Sequence, residues 1–353
     1  MKTSYARDLR LFRHRGDVVW YGALGLILLA APLLTDDYGL AQLSFVCIYA
    51  IAGVGLMLLS GFTGLISLGH AAFFAAGAYT TAILEQQGLD FAIALPAAAL
   101  VAGLLGVMVG LPALRLSGIY LTIATLAFAF IVEEVLTRWK GLTGGNAGML
   151  LDNASLLGLA IDSEPRFYYL ALGLLVLTML AGINILRAPL GRAMIAVRDS
   201  ETAAQAMGVN LAMVKTTAFG LSAALTGIAG ALYAHKLTYI SPEQFTIFVS
   251  IEFLLIVIIG GLGSLHGAVF GAIFVIVLPQ LVLIARELLP AAIAGLPGLE
   301  AAAFGLALIL FTLFEPMGLY GMWAKVRHYG RTFPVYKKAT FRRTKSFLKG
   351  EGG

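Results

Sequence analysis

Three ionisable side chains lie inside, or at the start of, long apolar segments of this 353-residue chain. Glu252 is surrounded by apolar residues in FTIFVSIEFLLIVII, and His70 and His266 each stand beside a glycine that precedes or opens a small-residue segment. A carboxylate in such a segment is expected to face the interior of a helix bundle and to have a polar partner there. Each of the three is therefore a candidate either for a structural hydrogen bond or for a translocation path or its gate.

A second group of polar residues lies in one loop, at residues 187–215. Asp199 or Ser200 can cap a helix N-terminus, and Glu201 suits the first turn of that helix. Gly208 is suited to end it, so the pattern predicts a short helix of about eight residues with a small-residue face. Two roles stay open for this helix: insertion into a groove on a cytoplasmic partner, or contact with lipid headgroups.

The other long connection, at about residues 138–167, contains a glycine-rich turn. Its glycines permit close backbone approach, and its asparagine can both donate and accept hydrogen bonds. The turn is either a plain glycine turn or a contact for an external protein. The candidate contact residues are Thr143, Gly144, Gly145, Asn146 and Gly148.

Several kinds of chemistry find no support in the sequence. It contains no GxxxxGK[ST] phosphate-binding loop, so the chain itself is not expected to bind ATP. It also has no HExxH motif, no paired metal ligands and no plausible Ser/His/Asp set. The single cysteine, Cys47, excludes a disulfide within the chain and a cysteine-based metal site. We therefore expect no catalytic, cofactor-binding or metal-binding residues.

The candidate residues must be positioned by membrane helices. Hydrophobic residues make up 59% of the chain and charged residues 12%, whereas a soluble domain has about 25% charged residues. We predict an all-α polytopic membrane protein with about ten transmembrane helices in one bundle, each of roughly 20 residues. The predicted spans are 18–34, 39–60, 64–84, 91–111, 118–137, 168–186, 216–235, 246–262, 267–286 and 299–315.

Charge predicts the orientation of this bundle. With alternating connections, 19 of the 24 Lys and Arg residues fall on the side that holds both termini, which the positive-inside rule assigns to the cytoplasm. The chain then divides into a basic cytoplasmic arm (1–17), a transmembrane domain (18–315) and a basic cytoplasmic tail (316–353). Both basic ends favour anionic lipid headgroups.

Small residues recur at four-residue spacing within the spans. Gly106 and Gly110 form one such pair, and Gly267 and Gly271 form another. Such pairs let helix backbones approach closely, although a channel lining would also use small residues. In the seventh span the rows are Ser222, Thr226 and Gly230, beside Ala223, Gly227 and Ala231.

A weak internal repeat links GLISLGHAAFFAAGA (64–78) with GLGSLHGAVFGAI (261–273). Duplicated halves are common in transporters, and so are helices interrupted at their binding sites. The glycine-rich stretch 61–69 is therefore a candidate for a broken or re-entrant helix.

Five segments together resemble, in the same order, the permease subunits of branched-chain amino acid ABC importers. The resemblance covers roughly residues 40–315. It is closer to the LivM-type subunit than to its shorter LivH-type partner, because it includes the segments LRLSGIYLTIATLAFAFI and LTGGNAGM. The segments are SGFTGLISLGHAAFFAAGAY, LRLSGIYLTIATLAFAFI, LTGGNAGM, GRAMIAVRDSETAAQAMGVN and IGGLGSLHGAVFGA.

The resemblance implies an ABC importer permease fold in the bacterial inner (plasma) membrane. It implies four kinds of partner: a LivH-like second permease subunit, two cytoplasmic ABC ATPase subunits that bind ATP and Mg, an external solute-binding protein, and membrane lipid. The glycine-rich turn would face the binding protein. Residues of the matching loop would form the ATPase coupling helix, namely Arg192, Arg198, Asp199, Ser200, Glu201, Ala204, Met207 and Gly208.

Import of branched-chain or related amino acids is therefore the expected function. A related ABC importer for urea, amides, or aromatic or other carboxylates is the first alternative. An ion-coupled secondary transporter should group ionisable residues near the midplane, whereas Glu252 is nearly alone there. An intramembrane enzyme would need a convergent catalytic pair, and the sequence offers none.

Overall fold

The computed structural model describes residues 15–116, 118–151, 155–156, 159–288, 298–314 and 317–332. Residues 1–14 of the predicted arm and 333–353 of the predicted tail lie outside this part of the chain. The helices that we label are α1 (Arg15–Leu34), α2 (Asp37–Leu56), α3 (His70–Gln86), α4 (Phe91–Gly110), α5 (Ile119–Arg138), α6 (Glu164–Arg187), α7 (Pro189–Asp199), α8 (Glu201–Ala206), α9 (Leu211–Leu237), α10 (Ile247–Gly260), α11 (Leu265–Leu288), α12 (Leu299–Phe314) and α13 (Gly318–Thr332).

A helix lies at each of the ten predicted spans, and the chain is a multi-pass membrane protein. Among the described residues, seven helical segments are long and apolar enough to cross a membrane. Helix α3 has 17 residues, and the apolar parts of α1 and α12 are also short. The full count of ten crossings and the side of the termini stay predictions. The seven segments are Asp37–Phe62, Phe91–Leu114, Ile119–Arg138, Glu164–Arg187, Leu211–Leu237, Pro242–Gly260 and Leu265–Ile284.

Helix α9 packs against α2, α3 and α4 through its small residues. A Cβ added to Gly77 of α3 would lie 2.1 Å from the carbonyl oxygen of Gly227, and one added to Gly106 of α4 would lie 2.6 Å from that of Phe219. Both rows predicted in the seventh span are buried. The interpretation of these rows as packing surfaces is confirmed, because side chains larger than those present would separate the helices.

Helices α10 and α11 form a second close pair beside α2. Added Cβ atoms at Gly267 and Gly271 would lie 2.7 Å from the carbonyl oxygen of Gly260 and 2.0 Å from that of Ile256. Helix α2 is central in the bundle, since every residue from Val46 to its end is buried. It contacts α6, α9 and α11 as well as α10.

The predicted span 64–84 begins only at His70, because the preceding chain is not helical. Helix α2 continues as a wider helical turn over Met57–Phe62, and residues 63–69 then run irregularly through the protein. The Leu65 amide donates to the Leu59 carbonyl at 3.1 Å, and the Leu68 amide donates to Thr125 Oγ1 at 3.1 Å. Irregular backbone at membrane depth needs such internal partners, so the predicted interruption is confirmed.

The loop predicted at 187–215 is almost entirely helical. Helix α6 extends to Arg187, α7 was not predicted, and α9 begins at Leu211 instead of 216. Pro189 in the first turn suits a helix start, and buried Met194 and Val197, three residues apart, hold α7 to the bundle. They share a small apolar cluster with Leu59, Leu65, Ala113, Leu121, Ala204, Val214, Ala218 and Phe219.

At the opposite end of the bundle, two short strand pairs form that were not predicted. Strand β1 (Met149–Leu150) pairs antiparallel with β4 (Tyr239–Ile240), and β2 (Ser155–Leu156) pairs with β3 (Leu159–Ala160). Strand β4 directly follows α9, so the pairing of β1 with β4 joins the glycine-rich turn to the end of α9.

Candidate functional site

Helix α8 has the predicted N-terminal cap but is shorter than predicted. Ser200 Oγ accepts a hydrogen bond from the Ala203 amide at 3.2 Å, which identifies Ser200 as the capping residue. The helix proper has six residues, and Gly208 follows it with a φ of +85°. Asp199 is not the cap, because its carboxylate accepts hydrogen bonds from Arg198 instead.

The two faces of α8 differ in exposure. Ala204 is buried in the apolar cluster below the helix, with 4% of its surface exposed. Met207, directly after the helix, is 85% exposed. Thr202 and Gln205 are also exposed. The arrangement presents a small knob, with one flexible apolar side chain, at the end of the bundle where α7 lies.

An ion pair joins α8 to α9. Glu201 Oε2 lies 2.8 Å from Lys215 Nζ, and the Lys215 side chain is 3% exposed. A buried ammonium group needs a counter-charge, because its removal from water is unfavourable. This ion pair was not predicted from the sequence. A lysine near the start of a long apolar helix does, however, indicate that an acidic partner is needed there.

Arg198 connects α7 to two glycine-rich segments, residues 61–64 beyond α2 and residues 261–264 beyond α10. Its Nη1 donates to the Gly61 carbonyl at 3.2 Å, and a Cβ on Gly263 would lie 3.4 Å from the same nitrogen. A Cβ on Gly64 would lie 3.0 Å from Arg198 Cγ. The two segments also touch, since a Cβ on Gly61 would lie 3.0 Å from the Gly263 amide nitrogen.

The internal repeat found in the sequence thus has a structural counterpart. Its two copies, 64–78 and 261–273, follow the helical segments that end at Phe62 and Gly260. Both copies lie against Arg198, Gly64 against its Cγ and Gly263 against its Nη1. A displacement of α7 and α8 would therefore act directly on the ends of two membrane helices. Arg192, the other predicted arginine, is placed differently: it is exposed, and its Nη1 donates to the Arg187 carbonyl at 2.9 Å.

His70 lies at the interrupted start of α3 and is fully buried. Its Nδ1 lies 3.1 Å from Ser67 Oγ, and its Nε2 lies 2.8 Å from Ser222 Oγ on α9. The next residue is held as well, since the Ala71 amide donates to Ser250 Oγ of α10 at 2.9 Å. His70 therefore fixes the broken helix to the centre of the bundle through two serine hydroxyl groups.

Glu252 is partly buried on α10 and has a polar partner in the interior, as predicted. Tyr49 of α2 donates a hydrogen bond to Glu252 Oε2 at 3.1 Å. The Tyr49 ring packs 5.5 Å from Phe253 and 6.4 Å from Phe74, centroid to centroid. The rest of this aromatic cluster is Phe45, Tyr79, Tyr233 and Phe245.

The three predicted path residues do not share neighbours. His266 Nε2 lies 2.9 Å from the Tyr21 hydroxyl of α1, and the His266 ring stacks on Tyr320 of α13 at 6.1 Å. His266 thus lies between the two terminal helices, while His70 and Glu252 contact the central ones. The structure associates His70 and Glu252 with the bundle interior and leaves His266 at its periphery.

The glycine-rich turn is packed as much as it is exposed. Thr143 is buried and donates to the Leu136 carbonyl at 2.6 Å, and the three glycines have φ values between +60° and +72°. The Tyr239 hydroxyl donates to the Ala147 carbonyl at 3.1 Å. Asn146 is exposed at the tip. Gly144, Gly145 and Gly148 therefore shape the turn, and Asn146 offers its amide to the surroundings.

The sequence did not predict two polar contacts near this turn, one hydrogen bond and one ion pair. Glu85 Oε1 lies 2.8 Å from His235 Nε2. Lys236 pairs with Glu164, and its Nζ lies 5.4 Å from the Phe167 ring centroid. These contacts join the ends of α3, α6 and α9, so polar side-chain contacts hold together the end opposite α8. The glutamates are far from His235 and Lys236 in sequence, and no motif marks them.

Comparison with known proteins identifies similar sequences along most of the chain. The family described as "Branched-chain amino acid transport system / permease component" matches residues 40–313. The high-affinity branched-chain amino acid transport system permease proteins LivM of Salmonella typhimurium and Escherichia coli are each 35% identical over 325 residues, which is 85% of this chain and 74% of theirs. The autoinducer 2 import system permease protein LsrC of Salmonella typhi is 27% identical over 283 residues, 76% of either chain. No solved structure matches the chain.

Proposed function

The chain belongs to the family of permease components of branched-chain amino acid transport systems, and we propose how it couples substrate import to ATP hydrolysis. It is the permease subunit of an ABC importer for branched-chain amino acids. We assign ATP and Mg to two cytoplasmic ATPase subunits, and part of the translocation path to a LivH-like second permease. An external solute-binding protein would deliver the substrate.

The observation that carries this proposal is the attachment of α8 to the bundle. Exposed Met207 would enter a groove on an ATPase subunit, and the small residues beside it would let the surfaces approach closely. Buried Ala204, the Glu201–Lys215 pair and Arg198 fix the knob to α9 and to the ends of α2 and α10. A rigid attachment is needed, because a flexible loop would absorb movement of the ATPases instead of transmitting it.

The proposed orientation places α7 and α8 in the cytoplasm. The loop carries Arg187, Arg192, Arg198 and Lys215, and such a loop favours the cytoplasmic side. The turn at 143–148 would then lie outside, where Asn146 would contact the binding protein. Both termini would be cytoplasmic after ten crossings in the bacterial inner membrane.

We place the path beside the aromatic cluster around Tyr49 and Phe74. An apolar aromatic surface suits a branched aliphatic side chain, and Glu252 with its Tyr49 partner offers one polar group beside it. His70 would hold the interrupted helix that borders this region. The similarity to LsrC extends the family to other cargo, but it is lower than the similarity to LivM, so we favour branched-chain amino acids.

Reconstitution tests this function. The full chain would be co-expressed with a LivH-like permease, two ATPase subunits and a binding protein. Leucine uptake into vesicles would be measured with ATP inside the vesicles, with ATP outside them and without ATP. We expect ATPase co-purification and ATP-dependent uptake. Uptake by the chain without any ATPase would contradict the proposal.

A matched pair of variants tests the coupling surface. Met207→Gln should abolish ATPase co-purification, since it replaces the exposed apolar contact. Met317→Gln changes another exposed methionine, 67% exposed between α12 and α13, and should leave it intact. Equal behaviour of the two variants would exclude Met207 from the ATPase contact.

A further inference from the structure

A groove with a volume of about 490 Å³ lies between α11 and α13. This volume is within the range of roughly 300–1,000 Å³ that small-molecule sites occupy. The lining is almost wholly apolar, with aromatic side chains from both helices. It includes Phe270, Phe274 and Val277 from α11, and Leu319, Trp323 and Val326 from α13.

Helix α13 is amphipathic, and its apolar stripe forms one wall of the groove. Leu319, Met322, Trp323 and Val326 recur at helical spacing and all line the groove. Trp323 is 48% exposed and Val326 is 62% exposed, so this wall of the groove is open to the surroundings of the protein. A short helix with a tryptophan on an apolar face and basic residues elsewhere is suited to lie in the membrane interface.

The charged residues of α13 are all basic. The α13 sequence GLYGMWAKVRHYGRT contains Lys325, Arg327 and Arg331 and no acidic residue. Such a segment attracts anionic headgroups at a membrane surface.

We propose that this groove binds an anionic phospholipid, with one acyl chain between α11 and α13 and the headgroup phosphate at Lys325 and Arg327, which flank Val326 of the groove wall. The apolar lining provides the contact for the chain, and the charge provides the preference for the headgroup. Nothing in this site depends on the transported substrate, so the lipid is a structural ligand of the permease. The proposal therefore stands or fails separately from the transport function.

Trp323 lines the groove and can serve as a fluorescent reporter for it. The chain has only two other tryptophans, so both can be replaced. In the full chain, Trp20→Phe and Trp139→Phe would leave Trp323 as the single fluorophore. The protein would be reconstituted in vesicles of phosphatidylcholine with equal fractions of either brominated phosphatidylcholine or brominated phosphatidylglycerol, since bromine quenches nearby tryptophan. We expect about fivefold tighter apparent binding of the brominated phosphatidylglycerol, which corresponds to the roughly 1 kcal/mol that one basic residue contributes.

Two kinds of variant separate the acyl chain from the headgroup. Val277→Phe would fill the groove and should reduce quenching by both lipids, whereas Val135→Phe makes the same change on α5 and should leave it unchanged. Replacing Lys325 and Arg327 together by Gln should remove only the preference for phosphatidylglycerol. Monodisperse elution from a sizing column would show that each variant is folded.

The proposal is overturned by either of two results. Equal quenching by the two brominated lipids, unchanged by Val277→Phe, would indicate ordinary surrounding lipid. Loss of quenching when the full chain is assembled with its permease and ATPase partners would place another subunit in the groove. Selective quenching that persists in the assembled complex would support the lipid site.

Discussion

Glu201 and Lys215 form an ion pair across two helices, with Oε2 and Nζ 2.8 Å apart. The two ends differ in environment: the Lys215 side chain is 3% exposed and the Glu201 side chain is 41% exposed. The carboxylate therefore lies at the surface while the ammonium group lies inside the bundle. Because α8 has only six residues, this pair and the burial of Ala204 determine how firmly the proposed coupling knob is held.

Removal of one partner should loosen α8. Glu201→Gln leaves the buried Lys215 ammonium without its counter-charge, and we expect a loss of stability of roughly 1–3 kcal/mol. The thermal unfolding midpoint in detergent measures this loss, and ATP-dependent uptake should fall with it. The double variant Glu201→Gln with Lys215→Met removes the buried charge as well and should recover most of the stability. An unchanged midpoint for Glu201→Gln would show that the pair contributes little.

Arg198 should matter for coupling more than for binding the ATPases. Arg198→Ala removes the hydrogen bond to the Gly61 carbonyl, so movement of α8 would reach the ends of α2 and α10 less directly. We expect ATPase co-purification to persist while uptake falls roughly 2- to 30-fold, the effect of losing about 0.5–2 kcal/mol of coupling. Arg192→Ala is the matched control, because the Arg192 guanidinium hydrogen-bonds the Arg187 carbonyl of the neighbouring helix α6. Equal loss of uptake in both variants would contradict this role for Arg198.

The helices could be predicted because the membrane imposes their length and apolar composition. A cap at Asp199 or Ser200 and a terminus at Gly208 were likewise predictable, since both depend on a few adjacent residues, and the structure selects Ser200. Helix α7 was missed, because its charged residues Arg192 and Arg198 mask the buried Met194 and Val197. The mean hydropathy of such a helix is low although one of its faces is apolar, and only its packing in the fold distinguishes that face from the charged one.

Long-range contacts could not be predicted from one sequence. Gly61 and Arg198 are 137 positions apart, and Glu85 and His235 are 150 positions apart. Nothing local to either residue specifies the other. The internal repeat marks two segments that lie against Arg198 through Gly64 and Gly263, but nothing in the repeat specifies Arg198 as their shared neighbour. The path residues were proposed from their chemistry alone, and their different neighbours follow from helix packing.

The glycine-rich turn should separate into a shape-determining part and an exposed part. Gly148→Ala would place a Cβ 2.3 Å from the Ile240 carbonyl at a φ of +67°. We expect a loss of stability of roughly 1–3 kcal/mol, because this backbone conformation suits glycine. The unfolding midpoint checks this expectation, with Gly141→Ala as a control, since a Cβ there meets nothing within 4 Å.

Asn146 should affect docking without affecting folding. Asn146→Ala removes an exposed amide at the tip of the turn, so the unfolding midpoint should be unchanged. We expect weaker stimulation of ATP hydrolysis by the loaded binding protein, measured with the assembled complex in vesicles. Full stimulation of the Asn146→Ala complex would remove this residue from the proposed docking surface.

Glu252 and Tyr49 share one hydrogen bond, and this allows their roles to be separated. Tyr49→Phe removes the bond but keeps the carboxylate, whereas Glu252→Gln keeps a hydrogen-bond acceptor for Tyr49 but removes the charge. If Glu252 borders the path, Glu252→Gln should reduce leucine uptake more than Tyr49→Phe does, at an unfolding midpoint close to that of the unchanged protein. A larger effect of Tyr49→Phe on both stability and uptake would indicate instead that the pair only holds α2 against α10. Uptake and thermal unfolding, measured on the same preparations, distinguish these outcomes.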